Sequence, residues 1–138
     1  MRFVCDASAG KTWFQIETEA EAEAETMMMR HSVSKYFSRC LLAAKQSYRP
    51  PAGAGIERDI GLKSHIARAM PLFVTLRAGD GEALATAMLP NPAQTAASGQ
   101  IIIVGPGNSD PYLEHSDAIA ALALHVGYPL PHDACYPY

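Results

Sequence analysis

Five histidines, three cysteines and one glycine-rich loop are the residues of this chain whose chemistry could define a function. His31, His65, His115, His125 and His132 are dispersed, and no two stand at the H-x-x-x-H spacing that sets two imidazoles on one helix face around a metal. His115 lies four residues before Ile119 and so shares an apolar helix face, which makes it a hydrogen-bonded boundary histidine. Cys5, Cys40 and Cys135 are odd in number and contain no C-x-x-C pair, so neither a disulfide framework nor a zinc ribbon is indicated and they read as buried, inert thiols. His132, Asp133 and Cys135 would need a further ligand from elsewhere in the chain, and no metal or cofactor is expected. Gly10-Lys11-Thr12 matches the end of the phosphate-binding pattern G-x-x-x-x-G-K-[ST]. Cys5 nevertheless stands at the first glycine position, and the strand-like run Trp13-Phe14-Gln15-Ile16 follows where a helix is required.

Two candidate sites survive this inspection. The first is the loop at residues 105–110, where Gly105, Gly107, Asn108, Ser109 and Asp110 join a β-branched run to a helix. Backbone N–H groups at a helix N-terminus bind anions without any particular side chain, and glycines allow close approach. The second comes from charge. Residues 1–25 carry two cations against six carboxylates, residues 26–79 carry nine against two, and from residue 80 onward six carboxylates stand with no Lys or Arg, so a net charge of -3 hides a basic middle. His31, Lys35, Arg39 and Arg49, with Lys45 adjacent, form a basic helical face suited to an anionic partner: an acidic protein, a nucleic acid, or a second copy whose acidic run would match the basic one.

The elements that must hold these residues are read in order. Residues 2–5 and 12–16 form a hairpin. Thr18 followed by Glu21 is a capping box that starts a helix. Met29, Val33, Tyr36, Phe37, Cys40, Leu41, Ala44 and Tyr48 continue one apolar stripe until Pro50 and Pro51 stop it. This predicts a single helix over residues 18–48, bent near His31, Ser32 and Ser34. Its start carries Glu17, Glu19, Glu21, Glu23 and Glu25, whose mutual repulsion requires good solvation. A second helix is expected over residues 56–70, a strand over 72–76 and a turn at 78–81. A strand at 82–89 follows, where helix propensity competes with period-two alternation. The β-branched run Ile101-Ile102-Ile103-Val104 predicts a central, doubly buried strand. A helix capped by Ser109 or Asp110 then runs to about Val126, where Gly127 stops it.

The whole predicts one α+β domain spanning residues 1–138. Its sheet is mixed, mainly antiparallel, with about five strands packed against one long helix and a C-terminal helix, and an extended arm occupies residues 128–138. No run approaches the roughly 20 apolar residues that span a bilayer, so a soluble, cytoplasmic chain with no membrane partner is expected. The functional expectation is a non-catalytic interaction protein, self-associating or engaging an anionic partner through the basic face. The alternative is a small anionic-ligand-binding protein or enzyme with its site at residues 105–110. No catalytic motif is present to name a reaction.

Overall fold

The strand-forming runs pair in the order in which they occur. In the computed structural model, which describes residues 1–50, 52, 55–93 and 100–135, the strands are β1 (Arg2–Asp6), β2 (Thr12–Gln15), β3 (Leu72–Arg77), β4 (Ala83–Leu89) and β5 (Ile102–Val104). They form one sheet of order β1-β2-β3-β4-β5 in which every neighbouring pair is antiparallel. The helices are α1 (Glu19–Met29), α2 (Val33–Ser47), α3 (Ile56–Ala69) and α4 (Tyr112–Val126). Among the described residues, no helix is long and apolar enough to cross a membrane.

Period-two alternation gives the sheet two buried faces. On one, Trp13, Val74, Leu76, Ala85, Ala87, Leu89 and Ile103 pack under Ala118, Ile119, Leu122 and Val126 of α4. Trp13, fully buried, donates its indole N–H to the Ala118 carbonyl at 2.8 Å. On the other face, Ile16 and Phe73 pack against Ala22 of α1, Val33, Phe37 and Ala44 of α2, and Met70 beyond α3, with Phe37 edge-on to Phe73 at 5.1 Å. The molecule is therefore three layers deep, and β3 and β4 are covered on both sides.

The expected capping box is formed. Thr18 Oγ1 accepts from the Glu21 N–H at 3.1 Å, while Glu21 Oε1 accepts from the backbone N–H of Thr18 at 3.1 Å. The single long helix is not formed. Arg30 adopts the left-handed conformation (φ 56°, ψ 53°) and closes α1, and α2 begins three residues later. Its course back along α1 is pinned by the Ser34 N–H on Thr26 Oγ1 at 2.9 Å and by the Ser38 hydroxyl on Glu19 Oε2 at 2.9 Å. The residues nearest α1's end on one helix thus meet those nearest α2's start on the other, as in an antiparallel hairpin. The apolar stripe keeps its phase across the break, with Ala22, Met29, Val33, Phe37 and Ala44 all buried, so one helix or two would read alike in the sequence.

Two further expectations change. β5 is an edge strand, not a central one. Ile103 and Val104 are nonetheless buried, because α4 covers one face and the α1–α2 side covers the other. The segment after α4 is docked rather than extended. Leu130 and Cys135 are buried in the α4-side core, His132–Ala134 forms a short 3-10 turn, and the Tyr128 hydroxyl donates to the Pro90 carbonyl at 2.6 Å. The end of the expected arm at residues 136–138 lies outside the described residues, as do residues 51, 53 and 54 between α2 and α3 and residues 94–99 between β4 and β5. The turn at 78–81 and the strand at 82–89 are present, with Gly81 at φ 91° and β4 paired to β3.

The left-handed Arg30 yields a test. A β-carbon in that region costs about 1–2 kcal/mol, part of which glycine returns through its own chain entropy. Arg30→Gly should therefore raise the unfolding free energy by up to about 1 kcal/mol in urea titration. A loss of stability would mean that the α1–α2 corner is not built this way.

Candidate functional site

Glu25 follows Ala22 by three residues and precedes Met29 by four, so the winding of α1 points its side chain at the sheet together with those apolar neighbours. It is fully buried. A carboxylate there requires a cation and donors, because an unpaired buried charge is costly. The sheet supplies both. In β3, alternation places Thr75 and Arg77 on the α1 side, and Arg77 Nη2 donates to Glu25 Oε1 at 2.5 Å while its Nε donates to Thr75 Oγ1 at 3.1 Å. In β4, Thr86 stands opposite Thr75 and donates its hydroxyl to Glu25 Oε2 at 2.6 Å. His31, in the connector between α1 and α2, lies with Nε2 2.9 Å from the same Thr86 oxygen.

Hydrogen-bond accounting assigns the protons that run from Glu25 through Thr86 to His31. The carboxylate only accepts, so the single Thr86 proton goes to Glu25, and Thr86 Oγ1 must then accept from His31 Nε2–H. The other ring nitrogen, Nδ1, is left as an acceptor and faces the Val33 N–H at 3.4 Å. His31 is thus a neutral imidazole of fixed tautomer. Burial holds its pKa below the ordinary 6.5, opposed in part by the nearby Glu25 charge. The arrangement resembles a nucleophile–base–acid series in composition but not in direction. Thr86 gives its proton away from the imidazole, so His31 cannot serve as the base that activates it.

The His31–Thr86 end of the chain forms part of a cavity of about 140 Å³. Val33, Phe73, Met88, Ile102 and Val104 give it apolar walls, and Ser32, Tyr36 and Asn108, all exposed, stand at its mouth. The residues expected on the basic face separate here. His31 is removed from that face by its burial in the network. Lys35, Arg39, Lys45 and Arg49 are exposed. The Arg39 guanidinium lies 5.7 Å from the ring centroid of Tyr36, and Arg49 donates to the carbonyls of Gln46 and Tyr48.

The loop at 105–110 is bound up with itself. Gly105 N–H donates to the Ser109 carbonyl at 2.7 Å. Both the N–H and the hydroxyl of Ser109 donate to the Pro106 carbonyl, and Gly107 and Asn108 take positive φ. α4 starts at Tyr112 rather than beside Ser109, and the Tyr112 N–H is taken by Asp110 Oδ1 at 2.9 Å. The other Asp110 oxygen lies 2.5 Å from His132 Nε2, and the His132 ring stacks on Tyr112 at 4.4 Å. The His132 hydrogen bond holds the Asp110 carboxyl below its usual pKa range. A negative charge of the protein's own therefore sits at the start of α4, and only Asn108 of this loop reaches the cavity. His115 is buried and pairs with Lys11, whose Nζ lies 3.0 Å from Nδ1. Burial first, and the Lys11 charge second, lower the His115 pKa. All three cysteines are free thiols, and burial pushes the Cys135 thiol up to about 11.

Against known proteins, no family model, no curated protein and no solved structure matches the chain.

Sequence reasoning placed Glu25 in a solvated acidic run and overlooked Thr86 and Arg77. A signal was present for each: Glu25 is in phase with the apolar stripe, Thr86 interrupts the apolar row of β4, and Arg77 ends a buried strand.

Two outcomes follow from the network. Arg77→Leu leaves a buried carboxylate without its cation and should cost about 3–5 kcal/mol, whereas Glu25→Leu/Arg77→Leu should cost clearly less than the sum of its single changes in a denaturation cycle. The depressed His31 and His115 pKa values mean that the unfolded chain binds more protons than the native one just below pH 6.5. Stability should therefore fall as pH is lowered from 6.5 towards about 5, with a shallower slope in His31→Gln.

Proposed function

We propose that the protein acts by association rather than by catalysis, presenting Lys35, Arg39, Lys45 and Arg49 of the α2 segment to an anionic partner. The observation that carries this reading is how the neighbouring acidic run is used. Glu17 pairs with Arg2 at 3.2 Å, Glu21 with the N-terminal ammonium, and Glu25 with Arg77, while Glu19 accepts from Ser38. Four of the five carboxylates of the run from Glu17 to Glu25 are thus engaged with other groups, and among the described residues none of the cations Lys35, Arg39, Lys45 and Arg49 has a carboxylate partner. An electropositive, solvated face of this kind attracts and orients an acidic surface within a Debye length of roughly 8 Å at physiological salt.

Lys35 and Arg39, one helical turn apart, are the centre of that face, and the Tyr36 ring between them supports the Arg39 guanidinium. A second copy of the chain is among the acidic surfaces that would fit, since Glu23 of α1 is exposed. The proton inventory around His31 and Thr86 favours binding over reaction, because its one hydroxyl proton is already committed to a carboxylate.

Reversal of charge tests the reading. Lys35→Glu/Arg39→Glu should leave the fold intact and weaken binding to a heparin matrix or an acidic oligonucleotide about tenfold or more, with a smaller dependence on salt than the parent. Sedimentation velocity at low and high salt reports whether self-association is lost with it. A parent chain that is monomeric at every salt concentration and binds no polyanion would refute the proposal.

A further inference from the structure

The cavity beside the α2 cations has a chemistry of its own. Its volume, about 140 Å³, is close to the ~150 Å³ that accommodates a benzene ring in a protein core. Its walls are apolar side chains from four elements: Val33 of α2, Phe73 of β3, Met88 of β4, and Ile102 and Val104 of β5. Water in such a space gains few hydrogen bonds and is readily displaced by an apolar body.

The polar part of the wall is specific in what it accepts. The Thr86 hydroxyl spends its proton on Glu25 and one lone pair on His31, which leaves an acceptor and no donor. The charges behind the wall cancel, since Glu25 is paired with Arg77, and none of the lining side chains is a Lys or Arg. The donors of Ser32, Tyr36 and Asn108 stand at the mouth, so at the inner end an ionised carboxylate or phosphate would lose its hydration and meet the Thr86 acceptor, whereas a hydroxyl would find a partner for its proton. We infer that the cavity bounded by Val33, Phe73, Thr86, Ile102 and Val104 is a binding site for a small, uncharged, mainly apolar molecule carrying one hydrogen-bond donor, of the size and kind of a phenol. The molecule enters between Tyr36 and Asn108, lays its ring against Phe73 and Ile102, and donates to Thr86 Oγ1. This site is distinct from the exposed cations proposed to meet an anionic partner.

The test is a titration of the full chain, followed by amide and methyl nuclear magnetic resonance, with phenol, methoxybenzene and benzoate. Phenol should give saturable shifts at Val33, Thr86 and Ile102. Its affinity should exceed that of methoxybenzene, which has no proton to donate, by about tenfold, and benzoate should leave those signals unmoved. Absence of saturable shifts with phenol, equal affinity for phenol and methoxybenzene, or benzoate binding as tight as phenol would each overturn the inference. Ile102→Trp should fill the space and abolish the phenol shifts in a chain that keeps its circular dichroism. A folded Ile102→Trp chain that still binds phenol at Thr86 would also overturn it, and the ligand series on the unaltered protein decides the matter even if that variant does not fold.

Discussion

A carboxylate with no solvent around it holds the two helical and sheet layers in register. Glu25 can be buried only where Arg77 and Thr86 can both reach it, and those two residues stand on adjacent strands of one sheet face. Sliding α1 by one turn would leave a charge uncompensated at low dielectric, a penalty larger than the loss of several apolar contacts. The apolar packing of Ala22, Val33, Phe37 and Phe73 is by contrast tolerant of small displacements. Packing thus supplies most of the driving force, while the ion pair selects one arrangement among those that packing alone would accept.

The same constraint shapes the α1–α2 corner. His31 must reach Thr86 from a connector of three residues, so the chain reverses at Arg30 in a left-handed conformation that a straight helix would never need. Reversal brings the first turn of α2 over β5 and places Val33 and Tyr36 at the cavity. It also leaves Lys35 and Arg39 exposed, while Glu19, Glu21 and Glu25 of α1 are bonded to other groups. The exposed positive face and the apolar cavity are in this sense two products of one corner.

Much of the architecture was legible because it rests on local rules. The Thr18–Glu21 capping box, the proline stop after α2, the alternation of β3 and β4 and the glycine end of α4 are each decided by neighbours within four residues. The network was not legible, because Glu25 meets Thr86 and Arg77 across 61 and 52 positions of sequence; the phase of Glu25 with the apolar stripe marks it as inward-facing but does not name its partners. His31 was misread for the same reason: on a continuous helix it would flank Lys35, and only the break turns it inward. β5 shows a different limit, since a run of β-branched residues reports burial on two faces but not position in the sheet.

The strand order carries a consequence for how the chain reaches this state. Each strand pairs with its predecessor, yet the β1–β2 and β3–β4 pairs are joined by tight connections whereas β2 and β3 are separated by the whole α1–α2–α3 excursion. The two hairpins can therefore assemble early and independently. Zipping β2 to β3 has to wait for the closure of a long loop, whose entropic cost is recovered only when the helical layer condenses onto the sheet. The seam between Trp13 and Leu76 therefore carries the longest loop closure of any neighbouring strand pair in the sheet, and the contacts that clamp the helices to β3, Glu25 with Arg77 among them, offset that cost.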